Sequence, residues 1–216
     1  MNRVNSLIKK LDLIPHPEGG WYREVYRSAV QVATPRGPRA AVTTIYYLLE
    51  RGQHSRWHTV DADEIWHFYD GAPLELLNYE PAAQQLKRHL LAPASAGEAA
   101  GLSRPSVSPI DLSQPDLSQP GLSQPGLSQP GLSRPGLSRP SVSPPDLSPI
   151  DLSQPGLPVA VIAPGAWQAA RSLGDFSLVG CSVGPGFDFA DFRLVSSVPG
   201  HAEHFALTLR HLEDLL

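Results

Sequence analysis

Apolar and polar residues alternate with a period of two along most of this chain, in short runs rich in β-branched and aromatic residues. Turn-forming sequences such as Asp70-Gly71 and Gly174-Asp175 separate the runs. Because period two sends successive side chains to opposite faces of a strand, the pattern predicts many short strands. The predicted strands cover residues 21–32, 41–49, 56–60, 64–69, 74–79, 85–91, 158–163, 166–171, 176–183 and 191–196. Short strands in this number are typical of an all-β sandwich or barrel.

The two ends of the chain follow the helical period instead. Residues 3–11 carry apolar side chains at helical spacing, and Pro15 and Pro17 follow them, which predicts a short packing helix. Residues 201–213 show the same spacing and predict a terminal helix.

Residues 101–157 interrupt the strand pattern with a strict five-residue period. They hold 12 of the 23 prolines and no aromatic residue, and Leu or Val recurs once in each period. One aliphatic residue in five cannot offset a backbone entropy of about 1 to 2 kcal/mol per residue, and the prolines remove donors that a repeat structure would need. We therefore predict a single domain formed by residues 1–100 and 157–216, with residues 101–156 as a disordered insertion rich in Pro, Ser, Leu and Gln. A proline-rich docking segment is the alternative.

Charge and cysteine content exclude some classes of partner and indicate the compartment of the protein. The formal net charge of −4 includes no basic stripe, so we expect no nucleic-acid partner. No apolar stretch approaches the length of a membrane span, and the single Cys181 cannot form an intrachain disulfide. These features predict a cytoplasmic protein with a small-molecule ligand and no membrane partner.

Candidate chemistry is concentrated between Gly52 and Gly71. Alternation places His58 and Val60 on one face of a strand, and a turn around residues 61–63 lets Glu64 return on a neighbouring strand towards the same interior. The spacing predicts that His58 and Glu64 converge inside a barrel.

This segment resembles the first motif of the cupin superfamily: Gly, five residues, His-x-His, three or four residues, Glu, six residues, Gly. Two further segments, residues 13–24 with His-Pro-Glu-Gly-Gly and residues 185–192, resemble an uncharacterised group of single-domain cupins. The resemblance extends over residues 3–96 and 157–213 and implies a jelly-roll β-barrel. Such barrels include epimerases, isomerases, dioxygenases and non-enzymatic binders.

Two positions depart from the cupin motifs. Val60 stands where the first motif has its second His, and Gln168 stands where the second motif has a His. Divalent transition metals usually take three or four His or carboxylate ligands. His58, Glu64 and Gln168 would supply two good ligands and one weak one, so a divalent metal stays an open alternative and no cofactor is certain.

Without a metal, His58 can act as a general base or acid beside a carboxylate, with Tyr46, Tyr47 or Tyr69 as its partner. This chemistry is similar to that of the deoxysugar-epimerase branch of cupins, and it makes an epimerase or isomerase of sugar-type substrates one candidate function. A non-catalytic ligand-binding cupin is the other, since a His and a Glu inside a barrel can also serve only as hydrogen-bond partners.

Further residues are predicted around this pocket and on the outer surface. Glu18, Tyr22 and Arg23 are predicted to close the cavity mouth, with Arg23 available to pair with a carboxylate or phosphate. Tyr47 and Trp66 are predicted to line the cavity. The outward-facing residues of the strand that carries Glu64 predict a homodimer; they are Ile65, His67 and Tyr69.

Overall fold

A computed structural model describes residues 2–94, 156–209, 212 and 215 of the chain. The predicted disordered insertion lies almost entirely outside these residues. The helices are α1 (Arg3–Leu11) and α2 (His201–Thr208), and two short 3-10 helices cover Phe189–Asp191 and Val195–Ser197. The strands are β1 (Ile14–Pro15), β2 (Trp21–Arg27), β3 (Gln31–Thr34), β4 (Gly37–Ala40), β5 (Thr43–Glu50), β6 (His54–Val60), β7 (Asp63–Gly71), β8 (Leu74–Glu80), β9 (Gln85–Leu91), β10 (Val159–Ile162), β11 (Trp167–Ser172), β12 (Phe176–Gly184) and β13 (Phe192–Leu194).

The strands form two main antiparallel sheets. One has six strands in the order β1-β2-β5-β12-β7-β10, and the other has five in the order β13-β6-β11-β8-β9. The pairing of strands distant in sequence within each sheet, with two sheets enclosing one interior, is the architecture of a jelly roll. The predicted all-β jelly-roll barrel with short terminal helices is confirmed.

One consequence of this topology concerns the strands that carry His58 and Glu64. β6 belongs to the five-stranded sheet and β7 to the six-stranded sheet, so the two strands are not hydrogen-bonded neighbours. The predicted turn around residues 61–63 instead carries the chain from one sheet to the other. His58 and Glu64 therefore belong to different walls of the barrel.

The interior between the sheets is filled at one end by apolar side chains. The largest cluster includes Tyr47, Leu49, Trp66, Leu76 and Val179, each at most 1% exposed. A second group, built on Val60, Ala62 and Val183, packs against Phe187 and Phe192. The remaining interior space lies next to this second group and forms the cavity described below.

The helices cover the outer faces of the sheets. In α1, Val4 packs with Leu48 and Leu178 of the six-stranded sheet, and the Asn2 side chain accepts a hydrogen bond from the Val4 N–H at 3.3 Å. Phe205 of α2 packs against Trp57 of the five-stranded sheet. None of the helices in the described part of the chain is long and apolar enough to cross a membrane.

Three predicted boundaries are wrong. The strand predicted over residues 21–32 ends at Arg27, and residues 31–40 form the separate β3–β4 hairpin. The Thr34 hydroxyl accepts from the Arg36 N–H and donates to the Gly37 carbonyl, which stabilises the hairpin turn. The strand predicted over 191–196 is shortened by its flanking 3-10 helices, and α2 ends before the non-helical backbone of Leu209.

The outer face of β7 and β10 exposes apolar side chains. Tyr69, Val159 and Val161 are 48%, 43% and 55% exposed, and β10 is the last strand of its sheet. The homodimer stays a prediction that depends on this face. Light scattering at micromolar concentration tests it, since a mass of one 23.3 kDa chain would contradict it.

Candidate active site in the barrel

The cavity has a volume of about 500 Å³ and receives side chains from both sheets. The buried thiol of Cys181 lines it, together with four interior His and Glu side chains: His16, Glu18, His58 and Glu64. All four side chains are shielded from solvent, and Glu18, His58 and Glu64 are only 6%, 2% and 7% exposed. The structure thus brings the two predicted catalytic residues to one cavity, together with two residues of the N-terminal segment.

His58 is held by its ring nitrogen Nδ1. Nδ1 lies 2.8 Å from the carbonyl oxygen of Arg56, which can only accept, so Nδ1 carries the proton and donates. The other ring nitrogen, Nε2, lies 3.3 Å from Oε2 of Glu18. Burial lowers the pKa of His58, while the nearby Glu64 charge opposes this effect. The neutral ring therefore presents an unprotonated Nε2 towards Glu18.

Glu18 reaches His58 because residues 16–20 pack against β5 and β6. Gly19 has φ +118°, and a Cβ there would lie 2.2 Å from the carbonyl oxygen of His54, so a glycine is required. The Arg56 N–H donates to the Glu18 carbonyl at 3.0 Å, and the Tyr47 hydroxyl donates to the Gly19 carbonyl at 2.8 Å. These contacts fix the segment with the Glu18 side chain inside the barrel.

The Glu18 carboxyl group is buried without a direct arginine partner. Its Oε1 accepts a hydrogen bond from the Ser55 hydroxyl at 3.0 Å. Burial raises the pKa of Glu18, and His16, Ser55, Tyr47 and Arg56 reduce that rise. The carboxyl group therefore keeps its proton to a higher pH than an exposed glutamic acid.

Glu64 of the six-stranded sheet lies at the end of a hydrogen-bond chain that crosses to the five-stranded sheet through Gln168 of β11. Its Oε2 accepts from Nε2 of Gln168 at 2.5 Å, and Oε1 of Gln168 accepts from Nε1 of Trp66 at 3.1 Å. Burial raises the pKa of Glu64, and the charge of Glu18 raises it further, although His58 opposes the rise. Trp66 and Gln168 thus orient Glu64 from behind rather than lining the cavity themselves.

His16 is a site residue that the sequence reasoning missed. Its Nδ1 lies 3.3 Å from the Glu18 N–H, from which it accepts, and its ring packs edge-on against Tyr22 at 4.5 Å and Tyr47 at 5.7 Å. Burial lowers the pKa of His16 despite the neighbouring Glu18 carboxyl. Its place two residues before Glu18 in the His-Pro-Glu-Gly-Gly segment was the available signal.

The other predicted ligand residues divide between the cavity and the outer surface. Tyr22 lines the cavity, and Tyr47 lies behind it with a pKa raised well above its usual range by burial. Tyr46 and Tyr69 stack on each other at 6.1 Å, on the face of the six-stranded sheet opposite to Tyr47 and Trp66. Neither can serve as the partner of His58.

The expected position of Arg23 at the mouth is wrong. Its guanidinium group donates to Asp12 at 2.7 Å on the outer surface. Arg23 follows Tyr22, which lines the cavity, so strand alternation directs Arg23 outwards. A register shift between Glu24 and Tyr26 then brings Arg27 to the cavity. Sequence alternation alone could not locate this bulge.

The residues present do not fit a divalent metal. Gln168, the third predicted ligand, has its amide engaged on both sides by Glu64 and Trp66. Among the residues that the structure describes, no group of three or more His, Cys, Asp or Glu side chains is arranged to hold a metal ion. The chemistry that these residues can perform is that of their own acid and base groups.

A two-sheet jelly roll with ionisable side chains in its interior places the protein among the small barrels of the cupin class. Residues 5–103 and 149–195 match the family described as Cupin superfamily (DUF985), and the chain belongs to this family. No curated protein matches the chain.

Two solved structures are similar to the chain over nearly its whole length. A hypothetical protein from Leishmania major is 24% identical, with a TM-score of 0.61, and the alignment covers 99% of this chain and 97% of that protein. A protein from Shewanella oneidensis is 26% identical, with a TM-score of 0.60 and coverage of 99% and 94%. These likenesses support the fold, and neither name states an activity.

Proposed function

We propose that the protein binds a small polar metabolite in the barrel and catalyses proton transfer on it, as an isomerase or epimerase does. The observation that carries this proposal is the contact of 3.3 Å between Nε2 of His58 and Oε2 of Glu18 inside the cavity. The Arg56 carbonyl holds the proton on Nδ1, so Nε2 is left to exchange a proton with a substrate or with Glu18.

The pKa shifts favour such an exchange. Burial raises the pKa of Glu18 and lowers the pKa of His58, so the two groups differ less in proton affinity than they do in water. General acid–base catalysis is most effective when the pKa of the catalytic group lies near the operating pH. A carboxyl and an imidazole brought together in this way can each hold the proton for part of a reaction cycle.

Glu64 supplies a second proton-transfer group from the facing sheet. In the proposed reaction, Nε2 of His58 removes a proton from a carbon next to a carbonyl group, and the electron pair moves onto the carbonyl oxygen. The protonated Glu64 carboxyl then returns a proton to the opposite face of that carbon, and the carbonyl group re-forms. The imidazolium and the carboxylate exchange the proton afterwards, so the reaction is an isomerisation without a redox step.

Hydrogen exchange at carbon tests this function. Candidate sugars and hydroxy-carbonyl compounds are incubated with the protein in D₂O, and the loss of the C–H signal next to the carbonyl group is followed by proton NMR. We expect exchange with the wild-type chain and a fall of about 10²-fold or more with His58→Gln, because general base catalysis contributes about 10²- to 10⁴-fold. Exchange that persists at the wild-type rate in His58→Gln would contradict the proposed base.

His67→Ala is the matched control. His67 is three residues from Glu64 but pairs with Val159 and Gly180 and is absent from the cavity lining. Exchange should therefore be unaffected by this variant.

A non-catalytic binding protein is the second candidate, and the hydrogen-bond chain from Trp66 through Gln168 to Glu64 favours it. That chain fixes Glu64 in one position, which suits recognition of a ligand as well as catalysis. Binding of a ligand without any exchange at carbon would support this candidate over the enzyme.

A further inference from the structure

The charges around the cavity restrict what it can bind. The acidic residues that line it are Glu18, Glu24, Glu64 and Asp188, and the one Lys or Arg among the described lining residues is Arg27. Low-dielectric walls with one sign of charge attract ligands of the opposite sign and repel ligands of the same sign. The described lining therefore offers an anion no unpaired positive charge, since its acidic residues are either negative or, where burial keeps Glu18 and Glu64 protonated, neutral.

The bidentate face of Arg27, which best suits a carboxylate or phosphate, is already occupied. Its Nε and Nη2 donate to the two carboxylate oxygens of Glu24 at 3.0 and 2.6 Å, and its Nη1 donates to the Phe187 carbonyl at 3.1 Å. A phosphate or carboxylate that paired with Nε and Nη2 of Arg27 would have to displace Glu24, and one that bound the two remaining N–H groups would lie next to the Glu24 carboxylate and to Asp188. The hydrogen bonds of Glu24 also raise the pKa of Arg27, as expected for an ion pair that is already complete.

The interior groups suit hydroxyl groups instead. Nε2 of His58 and the oxygens of Glu18 and Glu64 can accept hydrogen bonds, while protonated carboxyl groups can donate them. A hydroxyl group both donates and accepts, so it can pair with these groups in either protonation state. A carboxylate or phosphate ligand only accepts, and its charge would raise the pKa of Glu18 and Glu64 further.

One wall of the cavity is aromatic. The ring of Phe192 lies 5.4 Å from the ring of His58 at an angle of 31°, and Phe187 and Phe189 pack edge-on against it at 6.0 and 6.2 Å. An aromatic wall provides an apolar surface for the C–H face of a ring, while a few polar groups opposite it set the orientation. A volume of about 500 Å³ is enough for a small molecule with one such ring.

From these four observations we infer that the ligand of the cavity is an uncharged, hydroxyl-rich compound, namely a free reducing sugar, rather than a sugar phosphate, nucleotide sugar or organic acid. The open-chain form of such a sugar supplies the carbonyl group that the proposed reaction needs. This inference deepens the proposed function and uses the same cavity.

Thermal shift and titration calorimetry on the full chain test the ligand class with three matched sets. Glucose, galactose and mannose are each compared with their 6-phosphate and their uronic acid at the same concentration and ionic strength. We expect at least one free sugar to raise the melting temperature and to bind about tenfold or more tightly than its two anionic derivatives. Tighter binding of any 6-phosphate or uronic acid than of its parent sugar would overturn the inference, and so would the absence of a shift with all nine compounds.

Glu24→Gln tests the role of charge directly. The variant removes the carboxylate that occupies Arg27, so the affinity for the 6-phosphate relative to the parent sugar should rise about threefold or more. Glu80→Gln removes the same charge from an exposed ion pair with Lys87 and should leave that ratio unchanged. An unchanged ratio in Glu24→Gln would contradict the electrostatic argument.

The outcome for the ligand class is separable from the outcome for catalysis. A free sugar that binds preferentially but shows no exchange at carbon supports the inference and contradicts the proposed enzyme. Exchange on an anionic compound that binds more tightly than its parent sugar supports the enzyme and overturns the inference.

Discussion

The buried carboxyl groups of the described residues fall into two pairs that differ in what lies beside them. Glu75 and Asp191 are each held by two arginines. Arg88 and Arg171 donate to Glu75, with Nε distances of 2.8 and 2.6 Å, and Arg36 and Arg39 both donate from Nε to Asp191 at 2.8 Å. Glu18 and Glu64 instead have an imidazole, a hydroxyl and an amide as their nearest partners.

The difference separates structural carboxylates from groups suited to chemistry. Arginine stays charged and pairs with carboxylate through two hydrogen bonds, so it keeps a buried acid ionised. The hydrogen bond from Arg39 accordingly lowers the pKa of Asp191. Glu18 and Glu64 lack this compensation, and burial raises the pKa of both. Buried acids with raised pKa values in a cavity are typical of functional sites.

The largest expected loss of stability is that of Glu75→Gln. Removal of the charge leaves Arg88 and Arg171 without their common partner, and loss of one member of a buried ion pair costs about 3 to 5 kcal/mol. Both arginine side chains are partly exposed, so we expect a value at the low end, measured as the free energy of unfolding in urea. The exposed control Glu80→Gln should change the free energy of unfolding by no more than about 0.5 kcal/mol. An equally small change in Glu75→Gln would contradict the distinction between the arginine-paired carboxylates and the other two buried acids.

Asp191→Asn should destabilise the chain by about 2 kcal/mol, because Asp191 joins the β3–β4 hairpin to the segment of Phe187 and Phe192 through charged hydrogen bonds. Its pKa is lowered, so the folded state releases this proton more readily than the unfolded state. The stability from Asp191 is therefore complete above its ordinary pKa of 3.8 and is lost as the pH falls through the lowered value. The variant should show a weaker loss of stability in acid below pH 3.8, and an unchanged acid profile would contradict this account.

Glu64→Gln should change the stability in the opposite direction and raise the free energy of unfolding at high pH. The pKa of Glu64 is raised from 4.5, so the stability from its protonated form is complete below pH 4.5 and is lost as the pH rises through the raised value. A neutral amide avoids this loss, and we expect a gain of about 1 kcal/mol at pH 8 that is absent at pH 4.5. Urea unfolding at the two pH values measures it. Destabilisation at pH 8 comparable to that of Glu75→Gln would show that Glu64 is a structural carboxylate.

The smallest effect is spectroscopic and concerns His58. Burial lowers its pKa, so the ring should be neutral at pH 7 with its proton on Nδ1, next to the Arg56 carbonyl. Nitrogen-15 NMR distinguishes the two tautomers. A proton on Nε2 would mean that Glu18 accepts it as a carboxylate, as the arginine-paired Asp191 does with Arg36 and Arg39.

A feature of the site could be predicted from the sequence where it depends only on residues that are close together in the chain. The faces of His58, Glu64 and Trp66 were predictable, because strand alternation depends only on neighbouring residues. The packing helix over residues 3–11 was predictable for the same reason, because the apolar spacing that indicates it lies within one short segment. The bulge that brings Arg27 to the cavity depends on pairing with β5 and could not be read from β2 alone.

The amino-acid sequence by itself determined the strand pattern and the inward direction of His58 and Glu64, since each follows from spacing within a short segment, and the resemblance to the cupin motifs implied the jelly-roll class. Only the tertiary structure decided that β6 and β7 lie in different sheets and that residues 16–20 cross β6. It also decided which buried carboxyl groups meet arginine, because Glu75 and Arg171 or Asp191 and Arg39 are far apart in the chain. The raised pKa values of Glu18 and Glu64 and the lowered pKa of Asp191 follow from burial and from partners distant in the chain, which no local pattern contains.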